Sequence, residues 1–312
     1  MPALVETMFS VRETPWHGLG TIVNDAPTSE DALRISGLDW KVVQDDVFTD
    51  SGERITGYKA NIRDTDRKIL GVVSDRYKVV QNTDAFSFTD ELLGQGVKYE
   101  TAGSLQDGRR VWLLARMPKK YTGGDDKICP YLVFSNSHDG TGAVKVAVTP
   151  VRVVCNNTLN LALSTAQRSF SMIHTGSIDD KIQEARNVLF MAEKYMDSLI
   201  DEVDKLSVIE VSDDEVNRYI EMLLPIKDDA TPLQEKNINR LRGDMKQRYY
   251  YAPDIQGMGR TAYRFINAVS DFATHSNPLR RTANYNENLF GKTIDGNPLI
   301  DKAYSILKKR TA

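Results

Sequence analysis

ILGVVSDRYKVVQN (residues 69–82), VKYETAGSLQDGRRVWLLARMP (97–118) and PYLVFSNSHDGTGAVKVAVTPVRVVCNNTLNLAL (130–163) together decide the fold. Each is rich in β-branched and aromatic residues, and polar turns separate the runs. Gln106-Asp107-Gly108 is a hairpin signal, because Asp-Gly tolerates the positive φ that tight turns need. Arginines sit inside or beside these strands at Arg76, Arg109, Arg110, Arg116 and Arg152. A sheet with so many internal cations suits an extended anionic ligand.

Upstream, WKVVQDDVFT (40–49), ERITGYKANI (53–62) and KILGVVS (68–74) read as three further strands with turns at Asp50-Ser51-Gly52 and Asp64-Thr65-Asp66. Asn82 is the expected cap of a helix over TDAFSFTDELL, which Gly94 and Gly96 stop. The order is β-β-β-α followed by hairpins. Most connections are too short for parallel crossovers, so antiparallel pairing is expected. Residues 1–39 read as an irregular segment with one helix (DALRISG, closed by Gly37), residues 40–176 as the β-rich core, and residues 177–312 as helical. The expected fold class is therefore α+β, an antiparallel sheet core followed by a mostly helical half. In that half, Ile182, Leu189, Met196 and Val203 alternate with Ala185, Ala192, Leu199 and Leu206 along one heptad seam. A core-facing helix within one subunit is favoured over an intersubunit coiled coil. Ser212 with Glu215, and Thr231-Pro232 with Gln234, mark two further helix starts.

The chain of 312 residues, with 41% hydrophobic and 27% charged residues, has an ordinary globular composition. No apolar run approaches a membrane span, and the first residues lack a secretory signal pattern, so no membrane association and a cytoplasmic location (the host bacterial cytoplasm) are expected. Cys129 and Cys155 are expected to be buried and reduced. The net charge of −3 hides an asymmetry: residues 1–53 carry three Lys/Arg against ten Asp/Glu, and residues 54–120 carry thirteen against eight. Such neighbouring acidic and basic segments suggest head-to-tail assembly of subunits.

Catalytic patterns are poor. GTGAVK lacks the Gly-Lys-Ser/Thr ending of a phosphate loop, and there is no GxSxG or HExxH. Asp75, Glu100, Asp107 and Asp139 are the carboxylates a metal-dependent nuclease would gather. Ser137-His138-Asp139 is explained more simply as a turn. For His17, in PWHGLGT (15–21), loop anchoring by Trp16 or contact with a neighbouring subunit is favoured over metal ligation. Cations interleaved with aromatics (Tyr58-Lys59, Arg76-Tyr77-Lys78, Tyr99, Arg109-Arg110 with Trp112) suit a single nucleic-acid strand, whose phosphates need neutralising and whose bases need stacking surfaces. Taken singly, Tyr77 and Trp112 are better read as core.

LGVVSDRYKVVQN, YETAGSLQDGRRVWLLARMP, SNSHDG, TPVRVVCNNTLNLAL, PWHGLGT and RTAYRFINAVSDFATHS resemble a phage- and plasmid-borne family known as a domain of unknown function. The β-β-β-α order with a basic sheet is also similar, at the level of fold, to the single-strand annealing recombinases of phages (Rad-fifty-two-like, Erf-like and Redβ-like). That second resemblance implies an ATP-independent protein that binds and anneals single-stranded DNA. It also implies a homo-oligomer, ring or helical filament, with a phage exonuclease or single-strand-binding protein as a further partner. Annealing needs phosphate neutralisation and free base edges, with no nucleophile, metal or cofactor. The charge pattern nominates Lys59, Arg63, Arg76, Lys78, Arg109, Arg110, Arg152 and Arg168 as the DNA-binding residues. The alternatives are a metal-dependent nuclease and a protein-interaction module without catalytic activity.

Overall fold

The computed structural model describes residues 5–11, 21–25, 27–94, 98–124, 126–152, 169–175, 178–277, 279 and 296–311. The chain is mixed α+β, with antiparallel sheets in its first half and helices dominating its second. It divides into two compact units: residues 1–118, 131–148 and 168–192 form the first, and residues 119–130, 149–167 and 193–312 the second.

In the first unit, β3 (Val42–Phe48), β4 (Arg54–Arg63) and β5 (Ile69–Ser74) form a three-stranded antiparallel sheet, as their alternating sequences predict. The larger sheet contains β1 (Val5–Val11), β2 (Thr21–Val23), β6 (Lys98–Leu105), β7 (Arg110–Arg116), β9 (Asp126–Ser137), β10 (Val144–Arg152) and β11 (Ser169–Met172). Its order is β11-β10-β9-β7-β6-β1-β2. The predicted hairpin joins β6 to β7, with Gln106, Asp107 and Gly108 all at positive φ. Helices α1 (Ser29–Ile35) and α2 (Asn82–Leu93) both contact the larger sheet. The Phe86 ring lies 5.1 Å from that of fully buried Tyr99, whose hydroxyl donates to Asp90 at 2.7 Å.

The structure departs from the sequence expectation at two places here. Residues 5–11, expected to be irregular, form β1, which pairs antiparallel with β6 and parallel with β2. Phe9 is fully buried there, and its partner Ala102 lies more than ninety residues away, so no local turn announces the strand. The cap of α2 is Gln81, whose N–H donates to Asp84 at 2.9 Å. Asn82 instead turns its amide inward to the carbonyls of Leu38 and Trp40.

The second unit begins with β8 (Tyr121–Gly123), a short strand paired with the start of β9. Gly123 is required there, since a Cβ would lie 2.8 Å from Val203. Helix α3 (Ile178–Val208) enters this unit through its second half, followed by α4 (Asp213–Leu223), α5 (Pro232–Tyr251), α6 (Ala262–His275) and α7 (Pro298–Thr311). Seam residues Ala192, Met196, Leu199, Val203 and Leu206 are all buried, which supports the intrachain reading for the described part of that seam. Both predicted capping boxes form: Ser212 with Glu215, and Thr231 with Gln234 behind Pro232. Helix α6 is buried without interruption from Ala262 to Ser270, as its nearly continuous apolar sequence requires. Among the described residues, no helix is long and apolar enough to cross a membrane.

Candidate nucleic-acid interface

Two of the nominated cations, Arg109 and Arg110, border one turn of the first unit, and a second segment carrying Arg76 and Lys78 is tied to it. Residues Ser137–Gly142 connect β9 to β10, and Asp139 organises them. Its Oδ1 accepts from Ser137 Oγ (2.5 Å), Thr141 Oγ1 (2.7 Å) and Thr141 N–H (2.9 Å). Burial pushes the Asp139 carboxyl up, but these hydrogen bonds and the nearby Arg110 charge outweigh it, so its pKa lies below the usual value. Arg110 is the register partner of Ser137, and the Arg109 carbonyl accepts from His138 N–H at 2.7 Å. Tyr77 reaches the same turn, donating to the Ser137 carbonyl at 2.6 Å. Arg76 and Lys78 flank Tyr77 in the chain, so the segment that carries them is tied to this turn through the Tyr77 hydroxyl.

His138 fixes this arrangement from inside. It is fully buried, and its carbonyl accepts from Asn61 Nδ2 of β4 at 2.7 Å. The Asn82 amide nitrogen already donates to two carbonyls, so its oxygen must accept from His138 Nε2, 3.0 Å away. The ring is therefore the Nε2–H tautomer, and Nδ1 is buried without a hydrogen-bond partner. Burial first, then the neighbouring His174, lowers the His138 pKa from 6.5 to about 3, against a smaller opposing pull from Asp139. Such a histidine is a neutral structural spacer with no route to a substrate.

The sign of its pH dependence follows. Below pH 6.5 the unfolded chain binds a proton that the folded chain refuses, so this contribution is intact above 6.5 and is lost as pH falls towards 3. Between pH 6.5 and 5 the loss is roughly 1.5 kcal/mol. His138→Gln keeps an N–H for Asn82 and removes the titration. The stability gap between wild type and variant should narrow by that amount in urea melts at pH 7 and pH 5. A gap unchanged between the two pH values would mean that His138 takes up its proton within the fold.

The eight nominated residues separate into distinct environments. Arg76, Lys78 and Arg109 are exposed, and their side chains make no hydrogen bond or ion pair among the described residues. Arg110 is half-buried and faces Asp139. Lys59 is held by Asp46 at 2.5 Å, and Asp46 also takes Arg54 at 3.0 Å. Arg63 is buried. It donates two hydrogen bonds of 2.8 Å to Glu6 and two more to Asp66, and lies 5.4 Å from the centre of the Trp40 ring. Its hydrogen bonds to Asp66 and Glu6 raise its pKa further above the ordinary arginine value. With four of its five N–H donors committed to two carboxylates and its side chain buried, Arg63 is a structural cation and a poor phosphate contact. The Arg152 side chain and all of Arg168 lie outside the described residues, as do Trp16, His17 and Cys155.

Two other expectations meet physical obstacles. Part of the acidic segment's charge is met within the chain: Glu6 binds Arg63, Asp45 binds Arg67, and Asp46 binds Arg54 and Lys59. Antiparallel pairing of β3 with β4 sets Asp46 opposite Lys59, so these three carboxylates are taken up by the fold and are not offered to a neighbouring subunit. Of the interleaved aromatics, Tyr77, Tyr99 and Trp112 are buried, and Tyr77 stacks on His174 with centroids 4.3 Å apart. Only Tyr58 among these four is exposed, at 53%. The nuclease carboxylates hold separate posts: Glu100 lies 3.8 Å from Arg116, Asp107 pairs with Lys68 at 3.2 Å, and Asp139 caps its own turn. No metal-ligand cluster occurs among the described residues.

Residues 69–290 match the family model described as a domain of unknown function (DUF932). The chain belongs to this family. No curated protein and no solved structure matches it. The DUF932 region contains the Arg76–Lys78–Arg109 surface, the Asp139 turn and α3 to α6, whereas Lys59 and Arg63 precede it. Sequence reasoning missed the inward roles of Asn61, Asn82 and His138. Each is a single polar residue inside or beside an apolar run, a weak signal without the pairing partner.

Proposed function

We propose that this DUF932 protein binds single-stranded DNA through the Arg76, Lys78 and Arg109 surface of its first unit. The wider reading is strand annealing without ATP, in the manner of the phage recombinases it resembles, as a homo-oligomer in the host bacterial cytoplasm. The observation that carries the proposal is three exposed cations, on two segments tied to one turn, with no ion-pair partners among the described residues. Unpaired exposed cations are available for phosphate contacts and release counterions from the strand on binding. Arg110 and Lys59 are discounted as contacts because Asp139 and Asp46 oppose their charges.

The test is fluorescence anisotropy with a labelled oligothymidine across a salt series, without metal or nucleotide. Arg76→Ala/Lys78→Ala should weaken binding about tenfold and make the plot of log affinity against log salt shallower by about 1.4. An unchanged slope removes this surface from the site. Absence of binding by wild type at low salt rejects the DNA reading altogether.

A second reading, a protein-interaction module, is favoured by one observation. Tyr58, Ile69 and Val72 are 53%, 59% and 54% exposed, and register places them on the same face of the three-stranded sheet as the buried Ala60 and Ile62. Large apolar side chains left exposed on one face are the kind of surface that association covers. Under the annealing reading the same face serves a second copy of the chain.

A further inference from the structure

The second unit carries a groove along α5 that no motif in the sequence announces. Its solvent stripe runs Lys236, Arg240, Gly243, Gln247, Tyr251, at steps of four, three, four and four residues, which is the repeat of one helix face. From Arg240 to Tyr251 this stripe lines a cavity of about 790 Å³, together with Lys246, Arg248 and Asn277. That volume falls within the range of sites that hold organic ligands.

Three features define what fits there. The first is charge. Among the described residues, Asp244 is the one carboxylate lining the groove, and it accepts from Arg248 Nε at 3.0 Å and from Ser276 Oγ at 2.5 Å. Arg248 is further bound to Asp271 at 2.6 Å. Arg240 and Lys246 make no hydrogen bond or ion pair among the described residues, and so leave the groove cationic. The second is an exposed aromatic surface, since Tyr251 is 73% exposed and lines the same groove as the two cations. The third is Gly243. A glycine in a helix interior is costly, yet a Cβ there would meet nothing within 4 Å. Internal packing gives no reason for it. Close approach of an external group to the helix backbone does.

We infer that the α5 groove is a binding site for a single-stranded polynucleotide, with Arg240 and Lys246 on phosphates, a base stacked on Tyr251, and the backbone at Gly243 in van der Waals contact with the strand. Cations beside an open tyrosine face match this ligand, because stacking accepts any base and the cations follow the phosphates. The groove lies wholly within the second unit. The inference therefore stands on different residues from the Arg76–Lys78–Arg109 surface and does not depend on it.

The experiment uses the full-length protein with an oligonucleotide carrying 5-iododeoxyuridine, with crosslinked peptides mapped by mass spectrometry, alongside anisotropy for variants. Crosslinks are expected at Tyr251, and Arg240→Glu/Lys246→Glu should bind about tenfold more weakly, with a salt slope shallower by at least about 1.4. Its circular dichroism and melting should match wild type, because neither side chain has an internal partner. Gly243→Ala should melt roughly 3 °C higher and bind more weakly, a combination that a purely structural glycine does not produce. Wild-type affinity in Arg240→Glu/Lys246→Glu, or crosslinks confined to other segments, overturns the inference. If Arg76→Ala/Lys78→Ala alone weakens binding, the groove is rejected and the proposed function stands. If Arg240→Glu/Lys246→Glu alone weakens it, the groove stands and the Arg76–Lys78–Arg109 surface is rejected. Displacement of the strand by thymidine monophosphate at comparable concentration would show a free-nucleotide site and overturn the assignment to a polymer.

Discussion

Arg264→Met is expected to lower the stability of the second unit by about 3 kcal/mol, read as the shift of its urea transition. Arg264 lies on α6 and is only 8% exposed. Its guanidinium donates to the carbonyls of Tyr249 (2.9 Å), Tyr250 (3.3 Å) and Met258 (2.9 Å), and sits 5.3 Å from the centre of the Tyr249 ring. Two of these acceptors belong to the last turn of α5, whose carbonyls have no partner within their own helix and carry the negative end of its dipole. One cation on a neighbouring helix thus closes α5 and bonds the loop that follows it. Methionine restores much of the volume but leaves the Tyr249 and Met258 carbonyls unmet, at about 1–3 kcal/mol each before water relieves them, while the Tyr250 carbonyl keeps its bond from Gln256 Nε2 at 2.9 Å. Arg264→Lys keeps the charge but lacks the planar fork that reaches three carbonyls, so it should recover less than half of the loss. A loss below about 1 kcal/mol would mean that water serves these carbonyls equally well.

Arg264 also shows where the sequence stops being informative. RTAYRFINAVSDFATHS is legible as a helix, and its apolar character as burial, but an arginine in its first turn reads as a surface residue. Only the docking of α5 against α6 turns it inward. The strands were legible for the opposite reason. Period-two alternation and an Asp-Gly hairpin are local signals, and β3 to β7 and β9 lie where those signals place them. The short strand β1 has no such signal, because its partners β6 and β2 are not joined to it by a tight turn.

The candidate interface was legible in kind and blurred in detail. A sequence shows that cations are frequent between Arg54 and Lys120, but it does not show which of them already have partners. Arg63 and Lys59 look like Arg76 and Lys78 until the register pairs β3 with β4 and brings Glu6 alongside Arg63. Partnering is a property of three-dimensional pairing, and it separates a structural arginine from one available to a phosphate. The α5 stripe is the reverse case. Its spacing is visible in the sequence, yet only the structure shows that no carboxylate among the described residues answers Arg240 and Lys246.

Gly71→Ala should cost about 3 kcal/mol, at the upper end for overpacking, because the obstacle is backbone. A Cβ at Gly71 would lie 2.6 Å from Asp139 Cα and 2.8 Å from its carbonyl oxygen. Neither neighbour can retreat cheaply. Gly71 is the register partner of Asn61, and Asn61 Nδ2 donates to the His138 carbonyl one residue before Asp139. Asp139 itself is tied to Ser137 and Thr141, and Tyr77 holds the Ser137 carbonyl. The added methyl must therefore push β5 off the turn, breaking the Asn61 bond, or distort the turn that pairs with Arg109 and Arg110. Thermal unfolding distinguishes this from a simple change of helix or strand propensity. Gly243→Ala, with open space at its Cβ, should raise the melting midpoint, whereas Gly71→Ala should lower it by several degrees. The same preparations measure oligothymidine affinity, which should fall in Gly71→Ala because the cations lose their common support. Wild-type stability in Gly71→Ala would mean that the three-stranded sheet slides past the turn at no cost, and the rigidity on which the Arg76–Lys78–Arg109 surface depends would then be absent.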